Sequence, residues 1–243
     1  MAALPRHALA GIEDTIARVK PSIVAVGTLQ PSRNPTFLFS GTGFAVGDGS
    51  LIATNAHVIP RTLDTDRRET LVIALPNRTG GEAAAYPARV VAIDREYDLA
   101  VIAIEGKRLP ALQLNTGAAL REGQELFFTG FPIGTVLGLI AATHRGMVSA
   151  LTPISIPRSS ATELDAAAIK RLSGSPYQVI QLDGTAYPGN SGSPLYDANG
   201  VVFGIINMVF VKGARENALS QPSGISYAIP SQPLAEMVAV HRR

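Results

Sequence analysis

The sequence predicts an all-β fold built from two antiparallel units, barrels or sandwiches. Three observations predict it. Short runs rich in Val, Ile, Phe and Thr recur along the chain; Gly, Pro, Asn or Asp bound nearly all of them; and helical spacing does not alternate with them. Regular alternation of strands with helices would have indicated a parallel sheet instead.

In chain order, Ala8, Ile12, Ile16 and Val19 recur every three or four residues, which predicts a helix in the N-terminal segment 1–20. The first β unit, 21–112, holds runs at Ser22–Val26, Gly41–Val46, Ser50–Ala53, Leu71–Leu75, Arg89–Ile93 and Leu99–Ile104. Pro110 to Gly117 forms the natural link. The second unit, 118–230, holds runs at Glu125–Thr129, Met147–Leu151, Gln178–Leu182, Val201–Val211 and Ser226–Ile229. An insertion, 152–176, interrupts it. There Ser160-Ala161-Thr162-Glu163 has the spacing of a capping box ahead of Leu164 to Ile169, which predicts a helix. Ser231 and Pro233 open a C-terminal helix in 231–243. No internal repeat marks a propeller or solenoid.

Composition narrows the function. The 243 residues are 46% hydrophobic and 16% charged, which excludes a disordered chain. The net charge of +2 is small and the basic residues are scattered, so no nucleic-acid partner is expected. Cysteine is absent, which excludes disulfides and thiolate metal sites. Of the four histidines, His144 has no ligand neighbour at zinc spacing, and His7 and His241 fall in the terminal helices. No metal and no cofactor are expected. Leu126 to Thr143 carries no charge, yet Gly130, Pro132, Gly134 and Gly138 divide it. A membrane span needs about 20 mostly apolar residues; this stretch reads as two strands around a turn. The N-terminus lacks an apolar stretch after a basic start. The expected compartment is cytoplasmic as the chain stands, and periplasmic or secreted where a leader has been removed.

Three segments carry chemistry. His57 lies in Thr54-Asn55-Ala56-His57-Val58, directly after the apolar run Leu51-Ile52-Ala53, a good way to present an imidazole at a strand end. Asp98 opens the apolar run Leu99–Ile104. A partly buried carboxylate there needs a donor, which an imidazole N–H supplies; a turn aspartate capping its own backbone reads equally well. Gly189-Asn190-Ser191-Gly192 lies between Pro188 and Pro194. Its glycines permit a backbone whose N–H groups converge beside the serine hydroxyl, so that they can hold the oxyanion formed when it attacks a carbonyl. Taken singly, these are also an ordinary structural histidine and two ordinary turns. Together they fall in the order His, Asp, Ser, spaced 41 and 93 residues apart, the order of one class of serine hydrolases.

With these residues in place the sequence resembles the trypsin-like peptidases of the HtrA/Deg type. Thr54 to Val58, Tyr97-Asp98-Leu99-Ala100-Val101 and Gly189 to Gly192 look like the family's three catalytic blocks. Ser40-Gly41-Thr42-Gly43-Phe44, Gly130-Phe131-Pro132-Ile133-Gly134, Gly146 to Leu151 and Tyr227 to Ser231 extend the likeness over most of 22–238. The resemblance implies two six-stranded antiparallel β-barrels, chymotrypsin-like, with a few short peripheral helices and the site between the barrels. It makes Ser191 the nucleophile, His57 the general base, and Asp98 the acid that orients the imidazole. It places the oxyanion hole at Gly189, Asn190 and Ser191, with the N–H groups of Gly189 and Ser191 as donors. The implied activity is that of a serine endopeptidase acting on polypeptide through an acyl-enzyme.

In that fold the primary pocket lies beneath the segment before the serine. The position six residues upstream, where an acid would select Arg or Lys, is Thr185. The far wall is expected at Ile205, Ile206 and Asn207, favouring a small or medium apolar residue before the scissile bond. Asn190 is neutral and cannot pair with a processed N-terminal amine, so activity without N-terminal cleavage is expected. Ser193 stands where the family usually has glycine, and its Cβ crowds the pocket wall unless its φ is negative. The chain leaves no room for the PDZ module typical of HtrA proteins, so a standalone peptidase domain is expected. Phe37 and Phe39 are expected in the core, with contacts in a homo-oligomer as a second role.

Two other readings compete. One keeps the fold without the chemistry, as a catalytically inactive binding or scaffold protein. The other is an α/β-hydrolase, because Gly189 to Ser193 nearly matches a nucleophile elbow. That fold needs its histidine after its serine, and only His241 follows Ser191.

Overall fold

Apolar runs between turn residues become strands, and each strand finds antiparallel neighbours until the sheet has no edge. The computed structural model describes residues 11–76, 83–134, 138–153, 178–208 and 224–241. Strands β1 (Ile23–Leu29), β2 (Phe37–Val46), β3 (Leu51–Asn55), β4 (Thr70–Leu75), β5 (Ala84–Asp94) and β6 (Leu99–Ile104) form the first barrel. It closes in the order β1-β2-β3-β6-β5-β4. Strands β7 (Glu125–Gly130), β8 (Ala142–Pro153), β9 (Gln178–Asp183), β10 (Pro194–Tyr196), β11 (Val202–Asn207) and β12 (Ile225–Pro230) form the second. It closes in the order β7-β8-β9-β12-β11-β10. This is the chymotrypsin-like pair of six-stranded barrels that the resemblance implied, and it excludes the α/β-hydrolase reading.

Side-chain alternation divides the core in three. In β6, Ala100, Ile102 and Ile104 point into the first barrel with Val24, Val26, Ile52 and Ile73. The alternate residues Leu99, Val101 and Ala103 face a seam shared with Phe131, Tyr196, Val202, Ile205 and Ile229. Both faces of β6 are therefore dry, which is why its sequence is apolar throughout. The second barrel closes on Leu126, Phe128, Val148, Leu182, Leu195 and Ile206. The seam is what fixes the two halves of the site relative to each other.

Two α-helices lie among the described residues. Helix α1 (Ile12–Val19) sets Val19 into the seam core. Helix α2 (Ser231–His241) sets Leu234 and Val238 there, and the Ser231 hydroxyl donates to the Asn115 carbonyl of the inter-barrel link at 2.8 Å. No helix among the described residues is long and apolar enough to cross a membrane.

The differences from the sequence expectation are local. The short strand β10 was not foreseen: three residues beginning with proline carry no alternation to read. β2, β5 and β8 run longer than the runs expected within them, to Phe37–Val46, Ala84–Asp94 and Ala142–Pro153, because neighbouring strands pair with the added residues. The predicted helix at 160–169, the insertion beyond 153 and the first part of the N-terminal helix lie outside the described residues.

Candidate active site

β3 and β6 are hydrogen-bonded neighbours, with Asn55 opposite Leu99. This register brings the two residues just beyond them together. His57 sits on a 3₁₀ turn, Ala56–Val58, after β3. Asp98 sits one residue before β6 in the left-handed region, φ 53°, which aspartate tolerates better than most residues. Its carbonyl is held by Ala56 N–H at 3.0 Å and Asn55 Nδ2 at 3.1 Å. Its Oδ1 accepts the His57 backbone N–H at 2.9 Å, and its Oδ2 lies 2.6 Å from His57 Nδ1. A second donor to Oδ2, Asn207 Nδ2 at 2.7 Å, comes from β11 in the other barrel. With the His57 backbone N–H and Asn207 Nδ2 donating to this carboxyl, a proton on His57 Nδ1 is the complement of Oδ2, an arrangement that leaves Nε2 for other work.

The loop that carries Ser191 is held by glycines and by one threonine. Gly189 and Gly192 have φ of 100° and 87°. A Cβ would lie 2.2 Å from the Phe131 carbonyl oxygen at the first and 2.0 Å from that of Thr42 at the second. Only glycine fits either position. Thr42 on β2 donates its N–H to Ser191 O at 2.8 Å and its hydroxyl to Gly189 O at 2.7 Å. The same hydroxyl accepts Phe131 N–H at 3.1 Å. Gly192 N–H donates to Ile206 O, and Ile206 N–H returns to Ser193 O, both at 2.9 Å. Pro188 O accepts Ile133 N–H at 2.7 Å. Among the described residues, neither the N–H groups of Gly189 and Ser191 nor the Ser191 hydroxyl is hydrogen-bonded.

Ser191 is thus tied to β2 of the first barrel through Thr42, while Gly192 after it is tied to Ile206, next to the Asn207 that touches Asp98. The three sequence segments meet across the seam. Asn190 differs from its neighbours in the loop. Its N–H donates to Tyr187 O at 2.9 Å, so it is not one of the open donors. Its side chain is fully buried, and its amide has no partner among the described residues. Ser193 has a negative φ and is likewise buried. Its Oγ lies over Gly130, where a Cβ would come within 2.0 Å of it. Its side chain therefore fills the seam.

Of the residues expected to line the pocket, Thr185 is half-buried. Ile205 packs in the seam core and Ile206 inside the second barrel. Asn207 serves Asp98. Strand alternation explains this: successive residues of β11 face seam, barrel interior and seam. Phe37 and Phe39 pack half-buried on the seam core, Phe39 edge-on to Phe131 at 6.2 Å. His144 stacks on Phe128 at 4.9 Å, and burial lowers its pKa.

Sequence reasoning gave no role to Thr42 or Asn55 and assigned Asn207 a different one. Thr42 lies in one of the motifs that carried the resemblance, which was the available signal; its hydrogen bonds across the seam leave no trace in the local sequence.

Comparison with known proteins places this arrangement in a family. Residues 41–205 match the trypsin-like peptidase domain. Serine protease HTRA3 of Rattus norvegicus is 31% identical over 241 residues, 97% of this chain and 45% of that protein. Its Homo sapiens counterpart is 31% identical over 240 residues, 96% of this chain and 46% of that protein. Serine protease HTRA1A of Danio rerio is 29% identical over 236 residues, 94% of this chain and 40% of that protein. The chain spans less than half the length of these relatives. It belongs to the trypsin-like peptidase family and is similar to the HtrA serine proteases within it.

Proposed function

We propose that this chain is a serine endopeptidase in which Ser191, His57 and Asp98 act as a triad. The observation that carries the reading is the hydrogen-bonded chain from Asn207 through Asp98 to His57 Nδ1, at 2.7 and 2.6 Å. It fixes the tautomer that a general base needs. His57 Nε2 takes the Ser191 hydroxyl proton as Oγ attacks the scissile carbonyl. The Nε2–Oγ hydrogen bond that this transfer needs forms with substrate in place. Gly189 and Ser191 N–H groups, which have no acceptor among the described residues, receive the oxyanion. His57 then gives the proton to the leaving amine. Water repeats the sequence on the acyl-enzyme, and Asp98 stays ionised throughout.

For the residue before the scissile bond we infer a small or medium apolar side chain. Thr185, six residues before Ser191, supplies no charge that would select Arg or Lys.

A fluorophosphonate probe tests the reading directly. The expected result is one covalent adduct, located on Ser191 and absent in Ser191→Ala. An intact, folded protein that takes no label would instead point to an inactive scaffold.

A further inference from the structure

We infer that Ile133 is a positioning residue for the oxyanion hole: its strained backbone supplies the N–H that sets which way the Pro188–Gly189 peptide faces. The inference deepens the serine-peptidase reading and rests on it.

Three non-glycine residues among those described have positive φ: Arg68, Asp98 and Ile133. Arg68 sits in an exposed turn, and Asp98 is the candidate catalytic acid. Ile133, at φ 50°, is the β-branched one, the side-chain type least suited to the left-handed region. Such a conformation persists only where the surroundings over-determine it, and functional sites are where it collects.

The surroundings here are specific. The turn 131–134 and the loop 188–189 are joined at two points. Ile133 N–H donates to Pro188 O at 2.7 Å. Phe131 N–H donates to Thr42 Oγ1, which in turn donates to Gly189 O. Phe39 covers both strands of this clasp: a Cβ on Gly134 or Gly189 would lie 3.1 or 3.0 Å from its ring.

Peptide geometry gives the clasp its consequence. The Pro188–Gly189 bond is trans, the cis bond among the described residues being Asn34–Pro35. In a trans peptide the C=O and N–H point in opposite directions. With Pro188 O turned to Ile133, the Gly189 N–H is turned away from the 131–134 turn and left without an acceptor. A flip of this one peptide would replace that donor with a carbonyl oxygen, which repels an oxyanion. Ile133 N–H is the donor that opposes the flip, and relaxing φ at Ile133 to negative values would swing it off Pro188 O.

The test replaces the Ile133 amide with an ester, by incorporating the matching α-hydroxy acid, so the side chain stays and the N–H goes. The rate of fluorophosphonate attachment to Ser191 is then measured against probe concentration. The expected result is a fall of about 10²-fold in the maximal rate, the effect of losing one oxyanion donor, with the half-saturating probe concentration unchanged. A companion variant, Ile133→Gly, keeps the N–H and can hold the same φ without a Cβ; it is expected to label at least about tenfold faster than the ester variant. Wild-type labelling rates in a folded ester variant would overturn the inference, as would an Ile133→Gly protein that labels no faster than the ester variant. Wild-type protein that takes no label on Ser191 would overturn the peptidase reading itself, and this inference with it.

Discussion

Asn207 in the second barrel donates its amide to Asp98 in the first, at 2.7 Å, on the same carboxylate oxygen that receives the imidazole of His57. The candidate acid and base belong to one barrel, but a residue of the other fixes the acid. Asn207→Leu removes a donor from a charged acceptor, which is worth about 1.5–3 kcal/mol. The expected effect on kcat is a loss of about 10- to 100-fold. Asn207→Asp should lose more, because a second carboxylate would face Asp98. Steady-state kinetics on a peptide substrate, with melting temperatures as a control, separate the two.

Thr42 makes a second crossing. Its hydroxyl bridges Phe131 N–H and Gly189 O, and its own N–H holds Ser191 O. Thr42→Val keeps the shape and the N–H but leaves two buried backbone groups unpaired, at about 1–3 kcal/mol each. Both melting temperature and kcat should fall. Thr42→Ser, which restores the hydroxyl, should return both close to wild type. A valine variant with full stability and activity would show that the bridge is idle.

Glu69 anchors the loop between β1 and β2. It accepts hydrogen bonds from the Thr28 hydroxyl, the Asp64 N–H and Arg33, and its side chain is 14% exposed. These donors, led by Thr28, lower its pKa from 4.5 to about 2. The unfolded chain therefore binds this proton at higher pH than the folded one. The stabilisation is complete above pH 4.5 and is lost as pH falls towards 2. Glu69→Gln should lower the melting temperature near neutral pH, and the difference from wild type should shrink across that window. A difference that stays constant down to the acid end would contradict the assignment.

His144 works in another window. Burial lowers its pKa below 6.5, so the folded state resists a proton that the unfolded state accepts. Its contribution to stability is present above pH 6.5 and is lost as pH falls below it. His144→Phe, which keeps an aromatic ring against Phe128, should flatten the decline in stability as pH falls below 6.5. Denaturant titrations of the two proteins across that range check this.

Much of the fold was legible because local chemistry determined it. β6 is apolar on both faces, as a strand between a barrel interior and a seam must be, and its sequence says so. The pairing of His57 with Asp98 was expected from the order of the three segments and from the resemblance; that the two strands beside them are neighbours is a finding of the structure. The rest depends on tertiary contacts. β10 exists because β7 and β11 flank it. Ile205, Ile206 and Asn207 were read as pocket wall because their strand was identified but the facing of its successive residues was not. Thr42 and Ile133 act through backbone groups of a distant loop, and no side-chain pattern encodes such a contact.

The most direct test is turnover of an unfolded polypeptide by wild type, Ser191→Ala and His57→Ala under identical conditions. The expected result is steady hydrolysis by wild type and a loss of about 10⁴- to 10⁶-fold in kcat for either variant, with folding unchanged. Comparable turnover in a folded Ser191→Ala or His57→Ala protein would contradict the claim that this serine and this histidine perform the reaction.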